Sequence, residues 1–529
     1  MYKKIKILLL LSFLLTSCSR MPVNMPIFGD KEFIPIVSQE ITVPEKEESV
    51  TEELPATEEN TTEEVTEEIK KEEIAEDFNL ETSEKEEEEE NSTESEFEVG
   101  EILRNSNMSF YAVDMKTGEN VIDYRGDKVV TPASVMKVVT AATALEVLGK
   151  DTTLKTEVVA DGKIDSKGVL NGNIYIKGGG DPTLGSENFK GNREAFLNEW
   201  IAGVKKAGIK SVTGSIIVLD DLFGYEGVSG KWLLEDLATG YGQGVYGISI
   251  FDNICTIYLS SDAKGAKVSK TVPDVKGLSF INNLKISPRG RNDITVRGLP
   301  FENKRFLIGE VPVNRKTITV RSDIPDPGMF LGEYFKEKLK QSGVVVKGSV
   351  KTARTSSLRP KNPKNIAVTE SKTVGEMINV LLVKSDNHYA EHLYELIKLK
   401  GVNINKFWKE KGIDTSALGM YDGSGLSRAD YISAKTLTDI LLYMGENYPE
   451  YEKMLPKAGV EGTVAGFLGK KKFDGEVRVK SGSMGGVQSY SGYMEKGGKK
   501  IAFAIMINQW HGSRRQVKKE IEDLLIKLF

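Results

Sequence analysis

The chain has 529 residues, 39% of them hydrophobic, which is enough for two or three domains with proper cores and excludes a small disulfide-stapled scaffold. Its formal net charge of −6 hides an asymmetry: Glu40 to Glu98 holds 26 acidic residues against four lysines, a net of −22, while residues 99–529 carry +13. The acidic segment is therefore not representative of the body that follows it.

In chain order, "MYKKIKILLLLSFLLTSC" places Lys3, Lys4 and Lys6 before an apolar run from Ile7 to Leu15 and then small residues, which predicts a secretory signal over residues 1–17. The run is too short to cross a bilayer as a helix. Its ending, "LTSC", resembles the lipobox of bacterial lipoproteins, which makes Cys18 the expected lipid anchor to a membrane. The other cysteine, Cys255, then has no partner and reads as a small buried apolar side chain. Residues 18–98, with repeated "TEE" and "EEEEEN", cannot bury enough apolar surface to offset chain entropy and are expected to form a disordered, self-repelling tether. An acidic partner-binding tail is the alternative. A basic body invites a nucleic-acid reading. Export and the lack of a dense Lys/Arg stripe with aromatics argue against it, and an anionic extracellular polymer such as cell wall is the expected partner.

"MSFYAVDMKTGENVIDYRGDK" (108–128) reads as two strands around a Gly-containing turn. Thr131 and Pro132 then signal a helix start, an Ala- and Val-rich segment follows, and Gly149 fits the position just past its end. From about 155 to 365, short β-branched runs such as "GNIYIKG", "GSIIVLD" and "KTITVRS" predict β-rich modules with occasional helices, such as "AFLNEWIAGVKKAG". From about 366 to 529, helical patterns return, followed by strands in "GEVRVKSGSM" and "SYSGYMEKGGKKIAFAIMIN" and a last helix near "QVKKEIEDLLIKL".

Three short patterns stand in order: SxxK at Ser134–Lys137, SxN at Ser385–Asn387 and KSG at Lys480–Gly482. Each has a decoy, "SDAK" at 261–264, "SEN" at 186–188 and "KTG" at 116–118. Context separates them. Ser134 and Lys137 sit at i and i+3 in the first turn of a helix, so the lysine reaches the hydroxyl. "KSDNHYAEHL" leads into a helix whereas "SEN" follows a glycine-rich loop, and Lys480–Gly482 lies on a strand, where a peptide can dock as an added strand.

The chemistry ties these residue types together. A serine hydroxyl needs a base to take its proton, and a lysine serves only when neutral, which burial and a neighbouring cation favour. Lys137 is the expected base and Lys480 the neighbouring cation. Ser385 can relay a proton to a leaving amine, Asn387 can orient the substrate and Lys137, and Ser481 with Lys480 can hold a carboxylate. Backbone N–H groups of Ser134 and Ser483 are the expected oxyanion hole. The set specifies acyl transfer through an ester on Ser134.

On these motifs the chain resembles the penicillin-binding serine D-Ala-D-Ala peptidases, whose signatures are SxxK, SxN and KTG. It is most similar to their low-molecular-mass class C group of carboxypeptidases and endopeptidases. The separation of 248 positions between Lys137 and Ser385, "TPAS", "IYIKGGGDPTL" (174–184), "YDGSGLSR" (421–428), "VEGTVAG" and "IMIN" carry the likeness. It implies an α/β penicillin-recognising core, in two parts over 99–154 and 366–529, with β-rich domains inserted over 155–365. It implies peptidoglycan stem peptides as substrate, acylation by β-lactams, an extracytoplasmic location in the bacterial envelope, and no metal or organic cofactor. The chain departs from the pattern in having KSG for KTG, which keeps the hydroxyl. "KWLLEDLATGYGQG" (231–244) aligns loosely with the family loop whose acid binds the amine of the stem peptide's third residue; Asp236 is chosen for that role, with Glu235 beside it.

Three other readings compete. "HYAEH" (388–392) is formally the inverted zinc-peptidase pattern HxxEH, with His388 and His392 as ligands and Glu391 as base. The same residues directly follow SDN in a chain holding both other serine motifs. A non-catalytic wall-binding lipoprotein fits poorly with retention of every motif side chain. A β-lactamase needs a dedicated deacylating base, which the sequence does not display.

Overall fold

The computed structural model describes residues 99–469 and 472–528. Cys18, the 1–17 signal and the acidic 18–98 segment lie outside the described residues. No helix among the described residues is long and apolar enough to cross a membrane.

The two ends of this region meet in one five-stranded antiparallel sheet. Its order is Glu476–Met484, Val487–Lys496, Lys499–Asn508, Asn107–Asp114 and Asn120–Tyr124. The junction is the pairing of Asn107–Asp114 with Lys499–Asn508, in register from Asn107 opposite Asn508 to Asp114 opposite Ile501. Alternation along Lys499–Asn508 sends Ile501, Phe503, Ile505 and Ile507 to one face and Ala502, Ala504 and Met506 to the other. The first set packs on the C-terminal helix Arg514–Lys527 through Val517, Ile521, Leu524 and Leu525. The second packs on helices Met136–Leu148, Val374–Val383, Asn387–Leu399 and Ala434–Asn447. With both faces covered, the strand is apolar throughout rather than alternating with polar residues.

Helix Met136–Leu148 is buried continuously from Met136 to Leu145, as expected of a helix that is apolar on all sides. Gly149 ends it at φ 80°, the left-handed conformation that a glycine adopts without penalty. One feature differs from the sequence reading. Ser134 lies not in the α-helix itself but in a 3₁₀ turn, Ala133–Val135, that runs into it, and Ala133 has φ 51°.

Between Leu148 and Val374 the chain builds two further layers. Seven strands, among them Lys155–Ile164, Val169–Lys177, Ile216–Leu219 and Lys364–Glu370, form a mixed sheet covered by helices Ala195–Lys206 and Pro327–Gln341. Its core includes the fully buried Trp200 and Phe335, edge to face at 5.5 Å. Two three-stranded sheets, built from Ile254–Asp262, Gly265–Val272 and Ile318–Asp323 and from Ser279–Ser287, Thr295–Arg297 and Lys304–Pro312, enclose a smaller core of Ile257, Leu259, Val296, Leu307, Val311 and Ile318. Cys255 is buried and unpaired, and burial pushes its thiol up to about 12, so it behaves as an inert apolar group.

Candidate active site

The three motifs converge where the 3₁₀ turn, the break between two helices and the edge strand Glu476–Met484 meet. Lys137 Nζ lies 2.9 Å from Ser134 Oγ, 2.6 Å from Asn387 Oδ1 and 2.7 Å from the Ser424 carbonyl. Lys480 Nζ lies 2.8 Å from Ser385 Oγ and 2.6 Å from the Ser481 carbonyl. Both lysines are fully buried, and every one of these hydrogen-bond partners is neutral.

Local sequence explains each placement. Ser385 breaks the chain between helices Val374–Val383 and Asn387–Leu399 with φ 58°, a costly conformation for a non-glycine residue that surrounding contacts must hold. Asp386 caps the second helix by accepting from Tyr389 N, which starts the helix at Asn387 and fixes where that side chain emerges. Gly482 brings the edge strand onto the 3₁₀ turn. A Cβ there would lie 2.6 Å from the Pro132 carbonyl and 3.1 Å from Ser134 N, so only glycine allows the close approach.

Glu476–Met484 is the outer strand of its sheet. Its lower part is covered by the segment 456–458, through Ala458 N to Val477 O and Val479 N to Pro456 O. The antiparallel alternation that turns Val479 N outward turns Ser481 N and Ser483 N outward as well. Ser481 Oγ is 2.7 Å from Thr463 Oγ1, while Arg514 contacts Ser483 Oγ and donates to the Met484 carbonyl at 2.6 Å.

Burial lowers Lys137 to about 8, against the opposing pull of nearby carboxylates, Asp422 foremost. Burial, then the charge of Lys137, lowers Lys480 well below the usual lysine range. The two buried ammonium charges oppose one another, so the proton on Lys480 is held more weakly than on an exposed lysine. Beneath them, Asp422 accepts from Ser424 N, Gly425 N and Ser427 N at 3.0, 2.6 and 2.7 Å and fixes the turn whose Ser424 carbonyl receives Lys137. Trp232 Nε1 donates to the same carboxylate at 2.7 Å. Burial and the Asp422 charge push Asp430 up to about 10, so this acid stays protonated at neutral pH.

Asp236 is half-buried at the rim, where its Oδ1 accepts the Tyr241 hydroxyl at 3.1 Å. The Tyr241 carbonyl in turn accepts Asn387 Nδ2 at 2.8 Å. Burial raises the Asp236 pKa and Arg428 opposes the shift. Asp236 is thus one residue removed from the Ser134 cluster, and Glu235 is exposed.

The HxxEH residues serve another end. His388 Nε2 lies 2.7 Å from Ser249 Oγ, and His392 Nδ1 lies 2.9 Å from the Gly180 carbonyl, so both rings join the catalytic helix to the inserted region. Burial lowers the first well below its usual range and the second to about 3, which keeps both neutral. Among the described residues, no group of three or more His, Cys, Asp or Glu side chains is arranged to hold a metal ion.

Sequence reasoning gave no role to Asp422, Ser424, Thr463, Trp232, Tyr241 or Arg514. "YDGSGLSR" and "VEGTVAG", two of the stretches that carry the likeness, contain the first two and Thr463. Trp232 and Tyr241 lie inside "KWLLEDLATGYGQG", but the contacts that tie them to Asp422 and Asn387 span 190 and 146 positions, which nothing local displays.

A serine flanked by a buried lysine, a second serine–lysine pair and an open strand edge, on a five-stranded sheet with helices on both faces, defines a serine hydrolase of the penicillin-recognising fold. The sequence profile of the D-Ala-D-Ala carboxypeptidase 3 (S13) family matches residues 94–528. The chain is 28% identical over 428 residues to a D-alanyl-D-alanine carboxypeptidase of Actinomadura sp. (strain R39), covering 76% of this chain and 77% of that protein. It is 26% identical over 428 residues to the D-alanyl-D-alanine carboxypeptidase DacB of Haemophilus influenzae, covering 76% and 85%. The crystal structure of penicillin binding protein 4 (dacB) from H. influenzae superposes with a TM-score of 0.68 at 22% identity, over 81% of this chain and 96% of that one. The chain therefore belongs to the D-Ala-D-Ala carboxypeptidase 3 (S13) family.

Proposed function

We propose that this protein cleaves peptidoglycan stem peptides ending in D-Ala-D-Ala, and the D-amino-acid cross-links between stems, through an acyl-enzyme on Ser134. The observation that carries the reading is the convergence of buried Lys137 Nζ on Ser134 Oγ at 2.9 Å and on the Asn387 amide at 2.6 Å beside an open strand edge.

In this mechanism the peptide docks along Ser481–Ser483, with its terminal carboxylate on Ser481 and Lys480. Neutral Lys137 takes the Ser134 proton as Oγ attacks the carbonyl carbon of the penultimate D-Ala. The N–H groups of Ser134 and Ser483 hold the oxyanion. The C–N bond breaks as the proton held by Lys137 is relayed through Ser385, paired with Lys480, to the leaving D-Ala amine, which leaves Lys137 neutral again. Water then attacks the ester, giving a proton to neutral Lys137, which passes it to Ser134 Oγ as the C–O bond breaks; the shortened stem leaves with Ser134 and Lys137 restored. Asp236, with Arg428 nearby, receives the charged end of the third stem residue. Penicillins acylate Ser134 because their strained amide and carboxylate mimic the D-Ala-D-Ala terminus.

Cys18 anchors the protein by lipid in the bacterial envelope, and residues 18–98 tether the basic body within reach of the wall. D-Ala release from a soluble pentapeptide and cleavage of a cross-linked dimer, each lost in Ser134→Ala, test the activity. Turnover of neither substrate by wild type overturns it. Deleting residues 40–98 while keeping Cys18 leaves peptide hydrolysis intact and impairs processing of intact wall; unchanged wall processing contradicts the tether role.

A further inference from the structure

The triplet Ser186–Asn188, a decoy in the sequence, packs directly behind Ser385–Asn387. Ser186 Oγ accepts the Tyr389 hydroxyl at 2.8 Å and is hydrogen-bonded to Asp252 Oδ1. Glu187 N donates to Asp252 Oδ2 at 2.9 Å, and Asn188 Nδ2 reaches Asp252 Oδ1 at 3.4 Å. Asn188 Oδ1 accepts Lys384 Nζ at 2.7 Å, and Asn188 lines one cavity with Asp386, whose carboxyl burial pushes up and the Asn188 amide pulls back towards the ionised form.

Lys384 and Asp386 are the two chain neighbours of Ser385. One amide from the inserted region therefore lies against the side chains on both sides of a serine at φ 58°. Such strain persists only where several contacts over-determine it. The support for Asn188 is itself constrained: Asp252 is buried in a run, Phe251–Asn253, with three successive positive φ values. A cavity of about 280 Å³, lined in part by Glu187, Asn188, Asp252, Lys384 and Asp386, adjoins the contact and leaves room for the Lys384–Asp386 segment to relax if the amide is lost.

We propose that Asn188 is a positioning residue for Ser385, through which the inserted region sets the geometry of the Ser385–Lys480 pair. This rests on the reading of Ser385 as part of the proton path. The groups facing the Asn188 side chain are the carboxyls of Asp252 and Asp386, the Lys384 ammonium and the Tyr389 hydroxyl, with Glu187, Arg193 and Arg321 one contact further out. Asn188→Asp keeps the acceptor for Lys384 and exchanges the donor facing two carboxyls for a third carboxyl. That new group donates only when protonated, so acid restores what neutral pH removes.

The test measures kcat and KM on a D-Ala-D-Ala peptide for wild type, Asn188→Ala, Asn188→Asp and Ser385→Ala. Asn188→Ala is expected to lower kcat about 30-fold with KM changed less than about threefold. The ratio of Asn188→Asp to wild-type kcat is expected to rise about fivefold between about pH 8 and about pH 5.5. Wild-type kcat in both variants, or a loss confined to KM or to thermal stability with a flat pH ratio, overturns the proposal. If Asn188→Ala does not fold, the pH ratio decides alone. Ser385→Ala separates the two levels: undiminished turnover there overturns the reading of Ser385 itself, whereas its collapse beside unaffected Asn188 variants overturns only the positioning role.

Discussion

Two regions of the molecule bury cations completely, and they treat them differently. In the inserted region Arg305 is fully buried, yet its guanidinium meets Asp323 at 2.8–2.9 Å and the Lys304 carbonyl at 3.1 Å. In the catalytic region Lys137 and Lys480 are equally buried, but among the described residues neither forms an ion pair, and their partners are hydroxyl, amide and carbonyl oxygens. A counter-ion in contact cancels much of the desolvation cost and makes a buried cation structural. Without one, the cost is relieved by giving up the proton, and the residue becomes a base.

The sharpest way to break this comparison is Lys137→Met. It should lower acylation by at least about 1,000-fold while leaving Tm unchanged or raised, because an uncompensated buried amine is replaced by an apolar side chain of similar length. Kinetics and thermal unfolding on one preparation check both halves. Arg305→Met should do the reverse. Leaving Asp323 buried without its partner costs about 3–5 kcal/mol of stability, while the molecules that remain folded retain their acylation rate. Equal stability losses in the two variants would erase the distinction.

Gly482→Ala tests the approach of the edge strand to Ser134. Its methyl group meets the Pro132 carbonyl at 2.6 Å, and acylation should fall about 100-fold from the displacement. The pH profile follows from the lysine pair. With Lys137 at about 8, the neutral base is scarce at lower pH. The acylation rate should therefore climb about tenfold per unit towards that value and then level off. A rate independent of pH below about 7 would exclude a lysine base. The smallest effect belongs to Asp236→Asn, which should raise KM about fivefold for stems with a charged third residue and leave kcat within about twofold.

Much of the site was legible because chain order and context, rather than any one motif, distinguish Ser134, Ser385 and Lys480 from their decoys. Helix Met136–Leu148, the strands of the central sheet and the C-terminal helix were also legible, since each carries its own periodicity and end signals. The 3₁₀ turn at Ser134 was not, because Ala133 at φ 51° is held by tertiary contacts that no local pattern displays. Asp422 lies within a stretch that carries the family likeness, but its contact with Trp232, 190 positions away, is not visible there. The SEN triplet carries the opposite lesson: its context sets it apart from the SxN at Ser385, yet its asparagine lies beside both neighbours of Ser385.

The central claim is that Ser134 forms a covalent ester when Lys137 takes its proton. Intact-protein mass after exposure to benzylpenicillin, run beside Ser134→Ala and with and without a chelator, tests it most directly. The account predicts an adduct of one penicilloyl group on wild type, absent from Ser134→Ala and indifferent to chelator. An adduct that persists in Ser134→Ala, or a wild type that neither forms the adduct nor hydrolyses penicillin, would contradict it.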